Sequence, residues 1–235
     1  MPKIKIITYN IRNAQGIDGQ VNLSRIAEFL EEIGVDIICL QECDKGRRQS
    51  GLVHQARKLA KRLSMNYVYG TVNRYFLASA GNALLTRYPI VAHFNHSLPQ
   101  TKDPRCCLQV SLDVNRQLCT VFNVHLGLNH RLRMLALSET ILPMITPLKS
   151  PVILAGDLNA AQDSPEVGLL STYLHDTFAE NIGLQQNSFP ANRPREKLDY
   201  IFTNAACSPV QSCILESQAS DHLPVMAEIA IPHLH

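Results

Sequence analysis

The sequence predicts an α/β protein, one domain over residues 1–235 in which mixed β-sheets are flanked by helices. Three observations point there. Runs rich in Ile, Val and Leu recur along the whole chain, and stripes at helical spacing interrupt them in three places. No linker, low-complexity segment or internal repeat separates the halves. A chain of 235 residues is long enough to bury roughly 70% of its unfolded surface, so a substantial core is available.

Lys3 to Tyr9 alternate and are rich in Ile, which reads as a strand ending at Asn10, in a polar turn that continues through AQGIDGQ. Leu23, Ile26, Ala27, Leu30 and Ile33 recur at helical spacing, with Asn22 as N-cap and Gly34 just past the end. The run DIICL is apolar on both faces, as strands between layers are, and ends in Gln41-Glu42. Leu52, Val53, Ala56, Leu59, Ala60 and Leu63 form a second helical stripe, and Arg57, Lys58, Lys61 and Arg62 give it a solvated face. From Asn66 to about His125 short β-type runs follow (NYVYG, ALLTRYPIVAHF, CLQVSLDV, LCTVFNVHL), broken by Pro, Asn and Gly. Helical spacing returns between Arg131 and Ile145. The strand PVILA then leads into Gly156-Asp157-Leu158-Asn159, and KLDYIF, PVQSCIL and LPVMAEIAI supply the last strands.

Composition excludes several classes. A net charge of +2 is too mild to announce a nucleic-acid binder, so any basic surface is local. Seven cysteines, an odd number without a CxxC pair, sit largely inside apolar runs and read as buried reduced thiols rather than a disulfide framework or zinc site. The N-terminal residues enter a strand directly, without the apolar stretch of a signal peptide or membrane span. A cytoplasmic location and no transmembrane segment are the expectations.

Five of the strand-like runs carry a polar group at or near an end: Asn10, Glu42, His125, Asp157 with Asn159, and Asp221 with His222. Singly, each is explained as a turn residue or cap. Together they are not, because carboxylates beside apolar runs are costly unless paired or metal-bound. Their convergence points to a hard-cation site of Mg²⁺ or Mn²⁺ type.

The residues resemble the endonuclease/exonuclease/phosphatase superfamily, which includes pancreatic deoxyribonuclease, the abasic-site endonucleases, neutral sphingomyelinases and inositol polyphosphate 5-phosphatases. The resemblance covers nearly the whole chain and rests on seven motifs in the family's order: TYNIR, LQE, GNALLTRYPI, NVHL, GDLNA, LDYIF and SDHLPV. It implies a four-layer α/β sandwich, two mixed sheets packed face to face with helices outside. It also implies a metal-dependent hydrolase of phosphate esters. By resemblance, Glu42 is the principal metal ligand with Asn10 beside it and Asp221 nearby. Asp157 and Asn159 orient the attacking water and bond the phosphoryl group. His222 acts as base or phosphate contact. Asp221 or Asp199 fixes its tautomer, and Asp199 otherwise helps hold the metal. His125 matches a second acid/base histidine of the deoxyribonuclease branch, and Arg105 a phosphate-contacting arginine of relatives. At Arg12 the chain departs from the abasic-site endonucleases, which carry Asp there, so one possible metal ligand is missing.

Substrate choice on such a scaffold lies in loops. Lys45, Arg47 and Arg48 follow Glu42, and Arg193, Arg195 and Lys197 precede Asp199; both sets read equally as tracking a phosphate backbone, as ordinary solvated loops, or as facing an anionic lipid head group. The chain has no Trp and few aromatics, which limits stacking platforms to a few candidates such as Tyr75, Phe76 and Phe189. The leading expectation is a nuclease-type phosphodiesterase acting on DNA or RNA. The alternative is a phosphodiesterase or phosphatase for a phospholipid, sphingomyelin or a small molecule.

Overall fold

The computed structural model describes residues 3–75, 78–99, 104–179 and 185–231. Two six-stranded mixed sheets form its centre. The first contains β1 (Lys3–Asn10), β2 (Ile37–Lys45), β3 (Asn66–Tyr75), β4 (Ala78–Thr86), β11 (Ser208–Ile214) and β12 (Val225–Ala230), in the order β11-β12-β1-β2-β4-β3. The second contains β5 (Ile90–Ser97), β6 (Cys106–Val114), β7 (Gln117–His125), β8 (Val152–Asp157), β9 (His175–Asp176) and β10 (Asp199–Thr203), in the order β5-β6-β7-β8-β10-β9. One parallel pair lies in the middle of each sheet, β1 with β2 and β7 with β8, and every other pairing is antiparallel. The two halves therefore share one pairing pattern that their sequences do not display.

Helices α1 (Leu23–Ile33) and α2 (Gln55–Leu63) cover the first sheet, and α3 (His130–Ala136), α4 (Leu142–Ile145) and α5 (Pro165–Ser171) cover the second. Asn22 caps α1 through Ser24 N–H, and Gly34 ends it in the left-handed region, a conformation that costs glycine nothing. The stretch from α3 to α4 is helical throughout, with a wider π turn over Leu137–Ile141. Strand alternation then sorts the core into three layers. Ile4, Ile6 and Cys39 face Val121, Ile153, Ala155 and Ile201 between the sheets. Ile7, Tyr9, Ile38 and Leu40 meet Ile26, Leu30 and Leu59 on one outer face. Phe122, Val124, Leu154 and Phe202 meet Leu137, Ile141 and Leu170 on the other. This is the four-layer α/β sandwich. No helix among the described residues is long and apolar enough to cross a membrane.

The run ALLTRYPIVAHF divides into β4 and β5, because Tyr88 N–H turns back to the Thr86 hydroxyl and Pro89 lacks the N–H that would continue the ladder. Six of the seven cysteines are buried and Cys213 is half-buried, and all are unpaired thiols.

Candidate active site

The site lies where the four parallel strands end, and strand alternation decides which side chains reach it. Asn10 is in phase with Ile4 and Ile6, His125 with Cys119 and Val121, Asp157 with Ile153 and Ala155, and Asp199 with Ile201. Each continues the face that lines the space between the sheets, so polar groups replace apolar ones at its end. Register completes the arrangement. Asp157 is the Cα partner of both His125 across the β7–β8 ladder and Asp199 across the β8–β10 ladder.

Glu42 is out of phase, since Ile37, Cys39 and Gln41 face inward on β2. A bulge between Leu40 and Cys43 corrects this, with Glu42 at φ 55°. Its Oε1 then accepts a hydrogen bond from Asn10 Nδ2 at 3.2 Å.

Asp157 is the hub. Its Oδ2 lies 3.0 Å from Asn10 Nδ2, 3.6 Å from His125 Nε2 and 3.8 Å from His222 Nε2. Its Oδ1 accepts the Asn159 N–H at 2.9 Å, and Asn159 itself is in the left-handed region at φ 48°, which asparagine tolerates. Burial, with the Asp199 carboxylate next to it, pushes the Asp157 carboxyl up.

The two imidazoles are driven apart. Burial holds His125 down to about 4, against the pull of Asp157. Burial acts in the same direction on His222, but Asp199, Asp157 and Asp221 outweigh it and raise the group to about 10. The contact to Asp199 is direct, His222 Nδ1 to Oδ2 at 2.8 Å. Ser188 Oγ donates to the same oxygen at 2.6 Å and accepts from the backbone N–H of Leu198 and Asp199. The Phe189 ring packs on His222 at a centroid distance of 4.8 Å.

A hard divalent cation fits this charge pattern. Carboxylate oxygens of Glu42 and Asp157 converge on one Asn10 nitrogen, so two anionic groups share one neutral donor. Asp199 Oδ1 is a further buried oxygen with no hydrogen-bond partner among the described residues. Oxygen donors of this kind suit a small hard ion. Asp157, Asp199 and His222 also bring ligand atoms within 4.8 Å of one another. In that cluster the imidazole Nδ1 is already engaged by Asp199, an arrangement suited to handling protons.

The remaining predicted residues lie around this centre. Asp221 is linked to Asn10 through Arg12, whose Nε lies 3.3 Å from Asp221 Oδ2 while its N–H donates to Asn10 Oδ1. Thus a guanidinium stands beside the carboxylate at the position where the abasic-site enzymes have Asp. Arg105 Nε and Asn159 Nδ2 both donate to the Leu126 carbonyl, which brings the arginine to the rim beside His125. Lys197 is placed differently from expectation. Only 3% exposed, it does not track a substrate backbone. Its ammonium bonds Asp176 and Gln186 and lies over the Phe178 and Tyr200 rings. Phe76 lies outside the described residues, and Tyr75 is described only as the end of β3.

Ser188 and Ser220 complete the site without having been singled out in the sequence. Ser220 Oγ donates to the Asn10 carbonyl at 2.7 Å and so fastens the SDH segment to the end of β1. The only signal for Ser220 was its place before Asp221, and Ser188 had none, because its partner is eleven residues away.

The endonuclease/exonuclease/phosphatase family model matches residues 7–222. The protein YbhP of Escherichia coli K12 is 28% identical over 244 residues, covering 96% of this chain and 95% of that protein. Among solved structures, the endonuclease/exonuclease/phosphatase from Beutenbergia cavernae DSM 12333 superposes with a TM-score of 0.82 at 22% identity, over 98% of this chain and 72% of that one. The human Nocturnin catalytic domain with bound sulfate superposes with a TM-score of 0.79 at 20% identity, over 98% of this chain and 94% of that one.

Proposed function

Because the chain belongs to the endonuclease/exonuclease/phosphatase family, whose members hydrolyse phosphate esters, we propose that it is a metal-dependent phosphodiesterase of nuclease type acting on DNA or RNA. One observation carries the reading. A single buried carboxylate oxygen, Asp157 Oδ2, has the Nε2 atoms of two imidazoles within 4 Å, one whose proton affinity burial lowers and the other whose proton affinity the neighbouring carboxylates raise. Neighbouring groups whose proton affinities are driven apart are how one site supplies both a base and an acid near neutral pH.

Asp157 and Asn159 orient the attacking water, and His125 takes its proton as the new P–O bond forms. The bond to the leaving oxygen breaks, and that oxygen takes the proton from His222 Nε2. Asp199, itself held by Ser188, fixes the tautomer of His222 through Nδ1. Arg105 and Asn159 hold the phosphoryl oxygens, a task that suits a guanidinium's paired donors. Asn10 and Glu42 would hold the cation, with Asp221 linked to them through Arg12. When bound, Mg²⁺ or Mn²⁺ offsets the charge of the phosphoryl oxygens.

The test is cleavage of bis(p-nitrophenyl) phosphate, single-stranded DNA, plasmid and RNA with Mg²⁺ or Mn²⁺, with and without EDTA. Asp157→Asn and His125→Gln should each lower kcat by about 10²- to 10⁴-fold, the weight of general acid–base assistance. If no substrate is cleaved in a metal-dependent way, the reading is wrong.

A further inference from the structure

Beside the reacting residues lies a cavity of about 320 Å³, lined in part by Glu42 and His125. The uncharged Val72 and Ala80, from β3 and β4, line it too, as does Arg105. A second guanidinium lines the same space. Arg47, from the loop after β2, has no part in the proposed hydrolysis.

Arg47 is held in place. Its Nη1 lies 3.3 Å from Oδ1 of Asp44, a fully buried carboxylate whose other oxygen accepts from Gln49 and whose N–H is taken by Gln55. The Arg47 carbonyl in turn accepts from the Ser50 hydroxyl and the Leu52 N–H. This loop is built around the arginine, while about a third of the side chain stays exposed. Apart from Glu42, which the proposed cation would occupy, no carboxylate among the described residues lines the cavity. Its volume is near the lower end for small-molecule sites, enough for one phosphorylated sugar or nucleotide unit.

We propose that this cavity is a second-anion subsite, in which Arg47 binds a phosphate of the substrate other than the one being hydrolysed. The inference rests on the hydrolase reading above. The bound group is either the neighbouring phosphate of a nucleotide chain or the second phosphate of a small bisphosphate. Either presents the same tetrahedral dianion or monoanion to a guanidinium.

Three substrate pairs differing by one phosphate test it: thymidine 5′-(p-nitrophenyl phosphate) with and without a 3′-phosphate, fructose 1,6-bisphosphate against fructose 6-phosphate, and a thymidine trinucleotide against the dinucleotide. In at least one pair the added phosphate should raise kcat/KM by about tenfold or more, the weight of one charge-assisted contact. The trinucleotide pair alone responding identifies a chain, and a small pair responding identifies a bisphosphate. Arg47→Gln should bring the ratio to about one. Because Arg47→Gln strands Asp44, Val72→Glu provides a second variant, adding a repelling charge without touching that anchor, and should lower the ratio likewise. Calorimetry with thymidine 3′,5′-bisphosphate against thymidine 5′-phosphate in Mg²⁺ gives a readout independent of turnover. Bisphosphate binding weakened by both variants, with no hydrolysis of anything, keeps the subsite and removes the hydrolase reading. Hydrolysis with a ratio unmoved by either variant removes the subsite and keeps the hydrolase. Neither hydrolysis nor differential binding removes both.

Discussion

The Glu42 carboxylate and the Asp199 carboxylate are delivered to the site by different means. Asp199 arrives in phase with its strand, whereas Glu42 needs a bulge and a left-handed backbone that glutamate does not favour. Glu42 was legible as an acidic residue at the end of an apolar run, whereas Asp199 was named only through the LDYIF motif of the family resemblance. What holds them was not, since hydrogen-bond partners such as Ser188 come from distant segments. Ser188 makes the shortest contact to the Asp199–His222 pair, so in the proposed reaction it would act as a positioning residue through Asp199. A hydrogen bond to a charged group contributes about 1.5–3 kcal/mol. Ser188→Ala should accordingly lower kcat by about 10- to 100-fold with KM little changed, while Ser188→Thr keeps the hydroxyl and most of the rate. Steady-state kinetics decide it, and an unchanged kcat in Ser188→Ala would remove the role.

Helix α1 was readable because five apolar residues repeat at its spacing and both ends carry cap residues. Helix α5, only seven residues long, was not, since Val167 and Leu170 are too few to establish a period. It is fastened to α3 instead by a buried polar contact. Glu166 Oε1 accepts from Arg133 Nε at 2.6 Å and His130 Nδ1 at 2.9 Å. Burial pushes this carboxyl up, but the hydrogen bonds from His130 and Arg133 outweigh it and leave it below its ordinary value. A depressed carboxyl adds stability above its unfolded value of about 4.3 and loses it as pH falls through the lower folded value. Glu166→Gln should therefore cost about 1–3 kcal/mol at pH 7, with the difference from wild type shrinking below about pH 4. Urea unfolding at the two pH values measures this, and a pH-independent difference would contradict it.

The two sheets meet through apolar side chains along most of their length and through amides at the site end. Asn123 Nδ2 donates to the carbonyls of Leu40 and Ala83 in the opposite sheet, and its Oδ1 accepts from Gln41 Nε2. Asn82 crosses the other way to the carbonyls of Cys106 and Asn123. Removing Asn123 leaves the buried Leu40 and Ala83 carbonyls without its donors, so Asn123→Leu should cost about 2–4 kcal/mol in urea unfolding despite its extra apolar surface. A neutral or stabilising effect would show that the network does not hold the sheets together. By itself the sequence determined the family, the four-layer class and the identity of the polar strand-end residues, because periodicity and motif order are local properties of the chain. Tertiary structure alone decided that Asp157 stands between two histidines of opposed proton affinity, that Arg12 pairs with Asp221, that Lys197 is buried and that Arg47 lines the cavity. Each of these depends on groups far apart in sequence, and their charge and solvation exist only once the sheets have packed.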